Sequence, residues 1–268
     1  DRQKTIKKTR YTMKQIYYVI QTLLRGKGSV LFKIVSLGLG LAMSILLFAR
    51  VAYEQSYDTC FRDYDRLYQV WSQFIMNGEK NDAQNMNMGP LAGAILENFP
   101  KEIESATCTN RYLASRPLYY GNTRFNESKL CADSLFFQTM GIEVLSGNPV
   151  QDLQQPNVIY LSKSLAQRMF GGEDPIGKVI SYNHERDLTV RGTYADLPDN
   201  TTVNSEAVIS LPPAWAAQQM YYSWDGGDSY FQYVRLRPDV DVEALNARME
   251  KMAEKYLPAR DSWSYTAY

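Results

Sequence analysis

The sequence has one histidine and three cysteines in 268 residues, and each scarcity removes a class of chemistry. A single histidine excludes a multi-histidine metal site, and a hydrolase using a histidine base would have to rely on His184. That residue falls in a polar turn, Tyr182 to Asp187, where a solvated side chain is the ordinary expectation. Cys60, Cys108 and Cys131 cannot all pair within one chain, and no metal-ligand spacing links them. One disulfide, Cys108 with Cys131, and three separate thiols both stay open. Net charge is also lacking, at zero, but the balance hides an asymmetry. Asp1 to Gly28 carries eight Lys/Arg and one acid, whereas Glu54 to Tyr268 carries nineteen Lys/Arg and twenty-eight acids. An acidic main part argues against a nucleic-acid partner, which needs a basic surface to neutralise phosphates.

Long apolar runs are scarce too, which makes the one from Ser29 to Tyr53 the organising feature. Its uncharged stretch, Ile34 to Ala49, spans ~24 Å as a helix. Lys33 and Arg50 bracket it, and their long stems can lie along apolar surface while the charges reach the headgroups. Tyr53 sits where an aromatic belt residue belongs. The segment therefore reads as a transmembrane helix, with the lipid bilayer as its solvent, and no small-residue cleavage site follows it to suggest a signal peptide. The basic flank before it orients the N-terminus to the cytoplasm and the large C-terminal part outside. Before the span, Asp1 to Thr12 reads as a flexible basic lead, with Met13 a candidate natural start. Met13 to Leu24 shows helical apolar spacing suited to an interfacial helix on the inner leaflet.

Beyond the span the pattern is mixed. Arg66 to Phe74 predicts a strand, Pro90 to Phe99 a helix stopped by Pro100, and Ile103 to Thr109 a strand. The stretch from Tyr112 to Leu211 reads mostly as β. Within it Asn157 to Leu161 is an apolar strand, Ser162 is a helix N-cap for Lys163 to Phe170, and Gly171 and Gly172 end that helix. Lys178 to Tyr182 and Leu188 to Tyr194 pair as a hairpin. Tyr230 to Leu236 is a strand, and Asp241 caps a helix with Val242, Leu245, Met249, Met252 and Tyr256 on one face. These elements predict an α+β domain. Strand and helix at each end resemble one another, so the ends should pack together with the middle as an insertion.

One motif invites a false reading. GEDPIGK, Gly172 to Lys178, fits half of a phosphate-binding loop. The residue after the lysine is Val179, which has no hydroxyl for magnesium. Glu173 and Asp174 place negative charge where phosphates would lie, and Pro175 lacks an N–H. The segment reads as a turn. The tryptophans Trp71, Trp215, Trp224 and Trp263, and the aromatic run Met220 to Phe231, read as core and interface packing before they read as a ligand groove.

SYDTCFRDYDRLYQV directly after a first transmembrane helix, then ADSLFFQTMGIEVLSGNP, VIYLSKSLAQRMFGGEDPIGKVIS and LTVRGTYADLPDNTTVNSEAVIS in that order, resemble the FtsX/MacB-type permeases of ABC transporters, in the form common in Bacteroidetes. The likeness covers most of residues 13 to 257. It implies a periplasmic core domain at 54–268 with two lobes: one βαβ-like, from about 62–111 plus 228–257, and an inserted β-rich lobe at about 112–211. It implies a bacterial inner-membrane location and no enzymatic site or cofactor of its own. The implied partners are a cytoplasmic ABC ATPase, a second permease copy or paralogue, and a periplasmic or outer-membrane protein. Family members carry further transmembrane helices, so the chain reads as the N-terminal piece of a longer permease. In this reading Glu54, Ser56, Tyr57 and Asp58 couple helix movement to the outer domain. The competing expectation is a single-pass sensor or binding module complete in itself.

Overall fold

Every residue of the strand Val158–Ser162 is buried, and this strand lies near the centre of a mixed sheet that forms the framework of the C-terminal part of the chain. Its sequence is a continuous apolar run because both of its faces are covered. The computed structural model describes residues 17–19, 21, 29–76, 79, 80, 82–212, 222–224, 229–256 and 262–267. The chain forms two compact units, Asp1–Ser56 and Tyr57–Tyr268.

The first unit contains α1, Ser29–Gln55, a helix of 27 residues and ~40 Å. Its apolar residues point outward all round, Leu31, Phe32, Leu37, Leu41, Ile45 and Phe48 among them. It is long and apolar enough to cross a membrane. Of the expected interfacial helix at 13–24, residues 17–19 and 21 are helical; the rest of it, and the basic lead at 1–12, lie outside the described residues.

The second unit is α+β. Its strands are β1 Leu67–Met76, β2 Glu79–Lys80, β3 Ile103–Asn110, β4 Leu118–Tyr120, β5 Thr123–Phe125, β6 Lys129–Ala132, β7 Val144–Ser146, β8 Val158–Ser162, β9 Val179–Tyr182, β10 Arg186–Tyr194, β11 Ala207–Ser210, β12 Phe231–Leu236 and β13 Ser262–Ala267. They lie in the order β13-β1-β12-β3-β6-β11-β8-β10-β9-β4-β5, with β2 beside β1 and β7 beside β10. The strands from the two ends of the domain therefore lie together, and those from the middle lie together. The two sets meet where β3 pairs with β6, Thr109 opposite Ala132 and Asn110 opposite Cys131.

Alternation along the strands divides the core between the two faces. Ile159 and Leu161 join one cluster with Leu91, Ala94 and Ile95 of α2 (Leu91–Asn98), Leu165 and Met169 of α5 (Lys163–Phe170), and Leu245, Met249 and Met252 of α6 (Val242–Tyr256). Val158 and Tyr160 join the other, with Phe136, Phe137 and Met140 of α3 (Phe136–Met140) and with Phe61. A short helix, α4 (Pro149–Asp152), follows β7.

Local chemistry explains the element ends. Ser162 Oγ accepts from Leu165 N (3.2 Å) as N-cap of α5, and Gly171 follows the helix at φ 64°. Asp241 Oδ1 accepts from Ala244 N (3.0 Å), capping α6. The β9–β10 hairpin turns through Asn183 and His184, both at positive φ. Cys108 and Cys131 are buried on neighbouring strands, and all three cysteines are free thiols. Burial pushes the Cys131 thiol up to about 12. β13, which pairs with β1 from Val70–Ala267 to Ile75–Ser262, has no counterpart among the strands expected from the sequence.

Candidate functional site

The sequence places the candidate coupling residues at the helix end and just beyond it. In the first unit Glu54 is still helical, and it forms an ion pair with Arg50 one turn earlier. The Arg50 guanidinium also lies 6.0 Å from the Tyr53 ring centroid. Ser56 closes the helix: its N–H and its hydroxyl both donate to Tyr53 O, at 3.1 and 2.7 Å. Lys33, at the other end, is exposed within the helix.

In the second unit the chain runs from Tyr57, which is exposed, into Asp58 at φ 59°. Aspartate tolerates the left-handed conformation because its short polar side chain finds nearby donors. Here those donors are distant in sequence. Asp58 Oδ1 accepts from Thr201 Oγ1 and from Thr202 N, and Oδ2 accepts from Thr202 Oγ1, each at 2.8 Å. The Asp58 N–H donates to Asn200 O at 3.0 Å. Both carboxylate oxygens and the backbone are therefore fixed to the loop between β10 and β11. Arg111 secures the same loop by donating to Thr202 O. Phe61, three residues on, is buried in the α3-side core.

A second anchorage follows within five residues. Asp63 is also left-handed, at φ 50°, and its carboxylate takes Arg66 Nη2 at 2.9 Å. Arg66 Nη1 reaches Glu104 Oε2 of β3 at 2.7 Å and Leu236 O of β12 at 2.9 Å. From beneath, Arg235 of β12 donates Nη1 to Asp63 O (3.1 Å) and Nε to Thr139 O of α3 (2.9 Å). Arg235 is 1% exposed, and burial lowers its pKa, but a guanidinium keeps its charge in proteins. The two carbonyls satisfy Nε and Nη1, while Nη2 is buried with no hydrogen-bond partner among the described residues.

Glu54 and Ser56 belong to the first unit, and Tyr57 and Asp58 to the second. Two of them finish the helix and Asp58 begins the anchorage. Thr201, Thr202, Asp63, Arg66 and Arg235 were absent from the sequence expectation. Two signals for them were present: an arginine inside the apolar strand FQYVRL, and the turn-forming run Asp199-Asn200-Thr201-Thr202.

Between the anchoring segment and the sheet lies a cleft of about 240 Å³, lined by Asp58, Phe61, Tyr64, Trp71, Thr202 and Tyr233 among others. That is below the ~300 Å³ at which small-molecule sites usually begin, and no nucleophile-base pair lines it. The GEDPIGK segment is a turn leading from α5 into β9, the reverse of the strand-to-helix order of a phosphate loop. Its Lys178 forms an ion pair with Glu173 and lies 5.1 Å from the Phe170 ring centroid. His184 is exposed in its turn, with its ring centroid 3.8 Å from that of Tyr119. Among the described residues no three of His, Cys, Asp and Glu are arranged to hold a metal ion. Trp224 stacks on Tyr256 at 4.6 Å between centroids, and Trp215 lies outside the described residues.

Residues 32–252 match the family model of the MacB-like periplasmic core domain. Among solved structures, a domain of a protein described as a permease from Porphyromonas gingivalis shares 26% identity, with a TM-score of 0.67, over 78% of this chain and 91% of that one. The periplasmic region of MacB from Actinobacillus actinomycetemcomitans shares 16% identity and a TM-score of 0.52, over 75% of this chain and 88% of that one. The extracellular domain of the noncanonic ABC-type transporter YknZ from Gram-positive bacteria shares 12% identity and a TM-score of 0.51, over 75% of this chain and 99% of that one. The last two likenesses are of fold alone. No curated protein matches.

Proposed function

Because the chain belongs to the family of MacB-like periplasmic core domains, we propose that it acts as a mechanical relay. In this reading α1 anchors the protein in the bacterial inner membrane with its N-terminus in the cytoplasm. The outer domain receives helix movement driven by ATP hydrolysis in a separate cytoplasmic ATPase and turns it into extrusion on the periplasmic side. A second permease copy or paralogue, and a periplasmic or outer-membrane protein, are the partners such a relay requires.

The observation that carries this reading is the position of Asp58. It lies three residues beyond the end of α1, and its carboxylate accepts three hydrogen bonds of 2.8 Å from Thr201 and Thr202. Hydrogen bonds to charged groups are worth ~1.5–3 kcal/mol each. A movement of the helix end therefore has almost no slack chain to take up before it reaches the loop at 200–202. Arg50 to Asp58 is the joint, with Glu54 and Ser56 keeping its first part helical and Tyr57 passing to the anchor.

The test is a flexible insertion. Four glycines placed between Ser56 and Tyr57 of the intact permease should abolish transport while ATP hydrolysis and membrane insertion persist. Transport at the unmodified rate would overturn the relay.

A further inference from the structure

We infer that residues 57–66 form a strap that holds the two sets of strands together across the seam between β3 and β6. The seam itself is short. β12 and β3 pair at six positions, from Phe231–Thr109 to Leu236–Ile103, whereas β3 and β6 pair only at Thr109–Ala132 and Asn110–Cys131. Asp133 extends the join slightly. Its N–H donates to Cys108 O at 3.3 Å, and its carboxylate accepts from Thr107 Oγ1 and Cys108 N, both at 2.7 Å.

The strap reaches both sides of this seam. At its start, Asp58 is bonded to residues 200–202, which lead into β11 on the inserted side. Phe61 then packs in the cluster that holds Tyr160, Tyr194 and Val203 of the same side. At its end, Asp63 and Arg66 are bonded to Arg235 and Leu236 of β12 and to Glu104 of β3, on the side built from the two chain ends. Ten residues therefore bridge two half-sheets whose direct ladder is two residues deep. Arg111, which follows β3 and donates to Thr202 O, closes the bridge from the opposite direction.

A strap in this place has a mechanical consequence. The two-pair β3–β6 ladder lies between the six-pair β12–β3 ladder and the four-pair β6–β11 ladder and opens before either, so tension along the strap is expressed at the seam. The existence of the strap does not depend on the relay proposed above. The claim that helix movement works the seam does rest on it.

Hydrogen exchange on the whole chain in detergent micelles tests the inference. Asp58→Ala removes all three carboxylate bonds, and exchange should rise about tenfold both at 200–203 and at the seam peptides 105–110 and 129–133. The β4–β5 hairpin should not change. Thr202→Val removes one hydroxyl bond from an exposed residue, is expected to fold even if Asp58→Ala does not, and should give the same pattern at about threefold. A rise confined to 200–203 would make the contact merely local and overturn the strap, as would no rise at all. Seam exchange that rises in Asp58→Ala while the intact permease transports normally would support the strap and overturn the relay.

Discussion

Asp133 shows how one residue can hold a join and make it sensitive to pH. Its carboxyl accepts from Thr107 Oγ1, Cys108 N and Leu135 N, bonds that lower a carboxyl pKa, yet burial is the larger effect and pushes it up to about 6 from 3.8. The folded state therefore favours the protonated form. The penalty for charging is absent below pH 3.8, grows as pH rises, and is complete above about 6, where it amounts to roughly 2–3 kcal/mol. Asp133→Asn carries no such penalty, although its amide nitrogen would face the Cys108 N–H and lose one bond. Urea midpoints measured from pH 4 to 7.5 should show the variant gaining stability relative to the wild type as pH rises. Parallel pH profiles for the two proteins would contradict this. Asp58 was legible as a coupling candidate because it directly follows the span, but its partners were not, since spacing within a sequence cannot pair residue 58 with residues 201 and 202.

Among the elements, those with a chemical marker at each end were the most legible. The helix at Lys163–Phe170 was bounded in the sequence by Ser162 and Gly171, and the structure has the same bounds. The cap bond from Leu165 N to Ser162 Oγ (3.2 Å) is buried, so Ser162→Ala should destabilise the domain by about 1–2 kcal/mol in chemical denaturation. Ser162→Thr, which keeps the oxygen, should recover most of that. The stripe of α6 was legible for the same reason: Leu245, Met249 and Met252 recur at helical spacing and are buried together. β13 was not legible. Its hydrogen bonds come from β1, residues distant in sequence, and its six residues carry no turn signal that would set it apart as a strand. The predicted helix end at Tyr53 also fell two residues short of Gln55, because Glu54 is held in the helix by Arg50, a pair that composition alone does not rank against the polar residues that follow.

For the molecule as a whole, the cysteines report on topology. Cys60 is exposed, just beyond the anchor residue Asp58, whereas Cys108 and Cys131 are buried. A membrane-impermeant maleimide applied outside the cytoplasmic membrane should therefore modify Cys60 alone, and Cys60→Ser should abolish the reaction. Although the residue is exposed, partial desolvation of its sulfur raises the Cys60 thiol above its ordinary range, so modification should be slow at neutral pH and accelerate as pH rises. Labelling of Cys108 or Cys131 should require unfolding. Modification of Cys60 only after permeabilisation would reverse the orientation inferred from the basic flank.

The sequence by itself determined the long apolar helix, the α+β class and the family, because each depends on patterns that are local or ordered along the chain. An apolar run needs no partner to be recognised, and neither does a capped amphipathic helix. Only the tertiary structure decided that strands from both ends and from the middle share one sheet. It alone showed that their direct join is short, and that Asp58, Phe61, Asp63 and Arg66 cross it. Those relations are made by hydrogen bonds between residues more than a hundred positions apart, such as Asp58 with Thr202 and Asp63 with Arg235. Such bonds leave no periodic trace in the chain that makes them, only isolated polar residues in places where a folded partner is needed.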